Sequence, residues 1–212
     1  WTQAHRRWLR SQQFQLCHLQ ETFDALLFAI EEAEQRVVQM ERRMESALTG
    51  WSLTPLVRGL MALRGVRLIT GMTLVAELGD TPSRFRMAQE LMAFTGLVPG
   101  ERSSGQTRRQ LGITKSGNRH VRRVLVESAW AYRHKPAWTQ SLLARARDAS
   151  EEVCRIAWKA QKRLHRRYHR MMLRGKPGQV AVTAVARELV GFVWAIAGQV
   201  MAEQNASVVA GV

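Results

Sequence analysis

Apolar positions fall into helical periods over most of the chain. Leu16, Leu19, Phe23, Leu26, Ile30, Ala33, Val37, Met40, Met44 and Ala47 follow a 3-4-3-4 spacing with no Gly or Pro among them. That pattern predicts one helix over about 13–48, roughly 50 Å long at 1.5 Å per residue. Glu31, Glu32, Glu34, Gln35, Arg36, Glu41, Arg42 and Arg43 fill its solvent positions. So narrow a seam suits a single partner helix, which predicts a homodimer or higher homo-oligomer through 13–48. The same helix folded back on its own chain is the alternative. Gly50 closes this region, and Pro55 fits the first turn of the next helix.

From 60 to 80 the apolar residues run up to Gly65 and resume at helical spacing, as in a helix-hairpin-helix or a plain helical hairpin. A short helix is predicted over 87–94. The segment 95–118 carries five glycines and no helical period, so it reads as a long irregular loop, with at most a short ribbon at 106–114. Helices are predicted again over 118–134 (apolar face Val121, Leu125, Ser128, Ala129, Tyr132), 151–174 and 179–201 (Val182, Val185, Leu189, Val193, Ile196, Val200). The expected class is all-α: a region 1–50 for association and a helical domain 51–212, with basic helices over 137–201.

Charge changes this picture. The 212 residues carry Lys+Arg 32 against Asp+Glu 17, a net charge of +15. The bias is mostly arginine, whose planar fork matches phosphate, and it lies in the body, not in the first helix. The helix over 151–174 holds Arg155, Lys159, Lys162, Arg163, Arg166, Arg167, Arg170 and Arg174 with no acid after Glu152. A solvated face mixes both signs, so this helix is expected to have an anionic partner. Two cysteines, Cys17 and Cys154, exclude a disulfide scaffold and a zinc site, and fit a reducing, cytoplasmic setting. The apolar run Leu189–Ala197 is too short for a bilayer span, so no membrane partner is expected.

Candidate chemistry concentrates on Ser103-Ser104-Gly105. Arg102, Arg108, Arg109, Lys115, Arg119, Arg122 and Arg123 lie within 20 residues of it. A hydroxyl among cations suits attack on a phosphodiester, because the cations neutralise the phosphate and stabilise the crowded transition state. The same loop reads equally as a passive phosphate clamp. At the 60–80 hairpin, Gly65 and Arg67 mark a tight turn whose backbone N–H groups could hold a phosphate. No acidic cluster, His triad, Walker loop or dinucleotide fingerprint is present, so no cofactor or metal is expected within these residues.

Those motifs carry a resemblance. Leu63-Arg64-Gly65-Val66, Thr73-Leu74-Val75-Ala76-Glu77-Leu78-Gly79-Asp80, Gly96-Leu97-Val98-Pro99, Glu101-Arg102-Ser103-Ser104-Gly105, Ile113-Thr114-Lys115-Ser116-Gly117-Asn118 and Arg122-Arg123-Val124-Leu125-Val126-Glu127 appear in this order. In them the sequence resembles the C-terminal domain of the DEDD-type insertion-sequence transposases, recombinases guided by a bridge RNA. The resemblance implies an N-terminal acidic domain with Mg²⁺, a coiled coil, and a C-terminal domain supplying a nucleophilic serine. It places that serine on Ser104, with Ser103 as the alternative. From the residues themselves, nucleic-acid contacts are expected from Arg102, Arg108, Arg109, Lys115, Asn118, Arg119, Arg122, Arg123, Gly65, Arg67, Arg163, Arg166 and Arg167, with DNA as partner, and the resemblance adds a guide RNA. The chain begins at Trp1, and a truncation that leaves out the acidic domain is expected.

Overall fold

The computed structural model describes residues 2–104 and 107–210, with side chains for all of these except 107–110 and 208–210. The chain forms two compact units, Trp1–Ser46 and Ala47–Val212.

The first unit is a pair of helices. α1 (Gln3–Arg10) starts at Thr2, whose hydroxyl oxygen accepts from the His5 N–H at 3.2 Å. α2 spans Cys17–Ala47. The helix predicted from about residue 13 therefore begins later. The Phe14 N–H donates to the Gln20 side-chain oxygen at 2.9 Å, and the Phe14 ring packs 5.2 Å from that of Phe23, so the chain turns here instead of coiling. α1 runs back along one flank of α2, where Arg6 donates to Glu34 at 2.6 Å and Arg10 to Glu31 at 3.2 Å. None of the residues of α2 is buried.

The second unit is built from α3 (Thr54–Met61), α4 (Leu68–Leu78), α5 (Thr81–Arg84), α6 (Ala88–Phe94), strands β1 (Pro99–Ser104) and β2 (Thr107–Ile113), α7 (Arg119–Ala129) with a 3₁₀ turn at Trp130–Arg133, α8 (Gln140–Arg145), α9 (Glu151–Leu173) and α10 (Gly178–Ala210). The fold is mostly helical, as the periodicity predicts. α10 runs through its middle and packs against α3, α5, α6, α7 and α9. A helix with neighbours on so many sides must be apolar around most of its circumference. Ala181, Val182, Val185, Ala186, Leu189, Val190, Val193, Ile196, Ala197 and Val200 are accordingly buried. By length and composition Gly178–Ser207 could cross a membrane, but half of its most apolar window is buried inside the protein, as befits a core helix.

The segment 95–118 is not the irregular loop its glycines predict. β1 and β2 pair antiparallel, with Glu101 opposite Gln110, Arg102 opposite Arg109, Ser103 opposite Arg108 and Ser104 opposite Thr107. The register shifts between Pro99 and Glu101, so Gly100 faces the two residues Leu111 and Gly112. The ribbon foreseen at 106–114 is thus one strand of a longer hairpin. The 60–80 segment is a helical hairpin, α3 and α4 joined through 62–67. Gly65 (φ +86°) lies against the Ser128 carbonyl of α7, where a side chain would collide with backbone.

Candidate active site

The base of the serine hairpin is clamped by backbone hydrogen bonds. Thr114 N–H donates to the Val98 carbonyl at 2.9 Å, Lys115 N–H to Gly96 at 3.1 Å and Asn118 N–H to Phe94 at 2.9 Å. Two predicted contact residues reinforce this clamp. The Asn118 side chain accepts from Val121 N–H at 3.0 Å, capping α7, and donates to Glu77 at 2.6 Å. Arg122, half-buried, donates to the Thr95 carbonyl at 2.9 Å. The structure therefore gives both residues partners inside the protein. Asn118→Ala should cost about 1–2 kcal/mol through the lost cap and the stranded Glu77, read as a lower urea midpoint.

Beyond this base the hairpin projects with polar residues on both faces. Alternation along β1 places Glu101 and Ser103 on one face and Arg102 and Ser104 on the other. Ser103 donates to a Glu101 carboxylate oxygen at 2.6 Å. Ser104 is exposed and makes no hydrogen bond among the described residues. Arg102, Lys115 and Arg119 are exposed, and Arg123 forms a loose surface pair with Glu127 at 3.3 Å. The side chains of Arg108 and Arg109 lie outside the described residues.

Beside the hairpin base lies a cleft of about 750 Å³. Leu97, Pro99, Leu111 and Ile113 form its apolar wall, and Lys115, Arg167 and Arg187 bring cations to it. The hairpin and the basic helix α9 thus meet at one cleft, which no local sequence pattern reveals.

On α9 the structure redistributes the predicted contacts. Glu188 of α10 pairs with Arg163 at 2.8 Å and with Arg167 at 3.4 Å. The acid missing from the sequence of α9 is thus supplied by the neighbouring helix. Arg166 stays unpaired among the described residues, as do Lys159 and Arg170. Lys162 lies over the Trp158 ring at 5.7 Å, and Trp158 stacks on Trp138 at 6.1 Å. His165 Nδ1 lies 3.1 Å from the Tyr132 carbonyl and His169 Nε2 lies 3.0 Å from the Arg133 carbonyl. A carbonyl only accepts, so both of these nitrogens carry protons. Burial, with added repulsion from His169, Arg64 and Lys135, holds His165 below the usual imidazole range. Burial likewise pushes the Tyr132 phenol up.

Mg²⁺ does not fit the described residues. Glu77 is engaged by Asn118, Glu101 by Ser103, and Glu188 by two arginines. Among the described residues no three His, Cys, Asp or Glu side chains come together in a metal-binding group.

The chain is 45% identical over 197 residues to the protein y4qE of Sinorhizobium fredii, covering 93% of this chain and 47% of the relative. It is 26% identical over 178 residues to the transposase for insertion sequence element IS1533 of Leptospira borgpetersenii, covering 83% and 51%. It is 36% identical over 92 residues to the transposase for insertion sequence element IS1111A of Coxiella burnetii, covering 40% and 25%. The chain spans about half the length of the first two of these relatives. Residues 57–144, from α3 through the serine hairpin and α7 into α8, match the transposase IS116/IS110/IS902 family. This segment is similar to the domain of that transposase family, in a chain that resembles transposases over most of its length.

Proposed function

We propose that the chain is the part of a DNA transposase that supplies the serine nucleophile and grips the DNA backbone. The observation that carries this reading is the projecting hairpin, which presents Ser104 beside Arg102 on a rigidly clamped base. An anionic phosphodiester approaches that cationic face more readily than the face holding the Glu101 carboxylate. Ser104 Oγ attacks phosphorus, a bridging P–O bond breaks, and the serine proton passes through solvent to the departing oxygen. One phosphoester replaces another, so the strand can be rejoined to a second duplex without an external energy source.

A second reading rests on the Ser103–Glu101 hydrogen bond. A hydroxyl within reach of a carboxylate has a proton acceptor in place, which makes Ser103 the nucleophile and Glu101 its base. The metal of the reaction is proposed to come from the acidic domain that the resemblance implies ahead of the coiled coil. A guide RNA is proposed as a second nucleic-acid partner, a homodimer through the first unit as the assembly, and the cytoplasm as the location.

DNA binding by this chain tests the grip directly. If six to ten phosphates are met, affinity for any duplex should fall about a thousandfold or more between 50 and 200 mM salt. Reversing Lys162, Arg166 and Arg170 to Glu should weaken binding to all sequences alike and lower the log–log salt slope by about 3. These three are chosen because reversal of Arg163 or Arg167 would also break the Glu188 pairs. A salt-independent affinity would overturn the backbone grip.

A further inference from the structure

A second groove, of about 560 Å³, runs along α9 and shares no residue with the cleft beside the serine hairpin. Lys162, His165, Arg166, His169 and Arg170 line it. Positions 162, 166 and 170 recur every fourth residue and 165 and 169 fill the adjacent row, so one face of the helix presents all five. Lys162, Arg166 and Arg170 have no carboxylate partner among the described residues.

The two imidazoles are pinned from outside their own helix. His165 Nδ1–H donates to the Tyr132 carbonyl at 3.1 Å, and His169 Nε2–H donates to the Arg133 carbonyl at 3.0 Å. Both carbonyls belong to the 3₁₀ turn against which α9 packs. The other ring nitrogens, Nε2 of His165 and Nδ1 of His169, make no hydrogen bond among the described residues. With the first nitrogen protonated, the second carries a lone pair in the neutral ring and turns into a donor only when the ring takes up a proton. A phosphate oxygen is repelled by the lone pair and held by the imidazolium.

We infer that this groove holds the phosphodiester backbone of a nucleic-acid strand, and that His165 and His169 make its grip proton-dependent. This rests on the backbone grip proposed above and adds to it a site and a switch. The cations at 162, 166 and 170 span about 12 Å of helix, too far for one phosphate to meet all three. Exposed Leu173 and Pro136, also in the groove, give apolar contact to the sugar rings between phosphates.

The surroundings set the sign of the switch. Arg64 and Lys135 face His165 from other elements, and the two imidazole rings lie 4.3 Å apart. The Tyr168 ring meets His169 edge-on at 5.4 Å, and the buried Tyr132 phenol stays neutral. In the empty groove, burial and these neighbouring charges hold His165 below the usual imidazole range. A bound phosphodiester favours the imidazolium, so binding takes up protons and affinity rises as pH falls. Two rings so close oppose double charging, so the pair takes up about one proton per groove.

The test is the affinity of the full 212-residue chain for labelled duplex DNA, at fixed ionic strength, from about pH 8 to about pH 5.5, where imidazoles titrate. Binding should tighten on the order of tenfold across that range. The double variant His165→Asn, His169→Gln keeps an N–H donor where each pinned nitrogen stood. It should lose most of the gain while its affinity at the alkaline end stays within about twofold. A double variant that tightens as much as the unsubstituted chain would overturn the switch, as would a duplex affinity that ignores pH. Failure to bind duplex at any pH would overturn the backbone grip itself. The same titration with an RNA hairpin tells which strand lies in the groove, since only its pH dependence is lost in the double variant. Proton NMR reads the event without any substitution: the titration midpoints of His165 and His169 should rise when duplex is added. Unmoved midpoints would overturn the site, and an equal rise with inorganic phosphate would make it a small-anion site instead.

Discussion

Gly117→Ala should destabilise the second unit by about 3 kcal/mol or more, the left-handed backbone and the overpacking adding together. Gly117 has φ +94°, and a β-carbon there would run into the Phe94 carbonyl, the atom that receives the Asn118 N–H. The obstacle is backbone, so no side chain can move aside. The clamp at the base of the serine hairpin would open along with the cap of α7. Gly79 is the internal control. It has φ +63° and ψ −148°, a conformation glycine adopts almost alone, but open space around it, so Gly79→Ala should carry only a conformational cost of about 1–3 kcal/mol with no collision added. Urea denaturation of the two variants side by side checks this. Equal losses would mean that the Gly117 contact does not hold the hairpin.

The helices that bury a face were legible in the sequence because burial imposes the period. The faces Val121–Leu125–Ser128 of α7 and Val182–Val185–Leu189 of α10 are buried as predicted. The serine hairpin was not legible for the converse reason. Glu101 to Ser104 are exposed on both faces, so nothing selects an apolar–polar alternation, and the glycines read as a loop. α1 is only eight residues long, with too few apolar positions for a period.

The candidate site was legible at the hairpin tip and opaque in its surroundings. Glu101 and Ser103 stand two apart, so strand geometry brings them together, but only once the strand is known. Glu188 lies 25 residues from Arg163 in sequence, and only the packing of α10 on α9 reveals that it occupies two of the predicted contact arginines. The Asn118 cap and the Arg122 bond to Thr95 depend in the same way on the fold.

Replacing the nucleophile should have the largest effect of all, abolishing a covalent intermediate outright. The measurement is made on a protein in which this chain is joined to the half that its relatives additionally possess. Incubated with labelled DNA carrying its insertion site, that protein should form a protein–DNA adduct that survives denaturation and maps to the 99–113 hairpin. Ser104→Ala should eliminate the adduct while leaving DNA affinity and its salt dependence unchanged, because the hydroxyl adds nothing to the electrostatic grip. Ser103→Ala and Glu101→Gln should slow adduct formation without removing it. Loss of the adduct with Ser103→Ala and its persistence with Ser104→Ala would instead make Ser103 the nucleophile, with Glu101 its base. An adduct that survives both serine substitutions would contradict the account, leaving the hairpin a phosphate clamp.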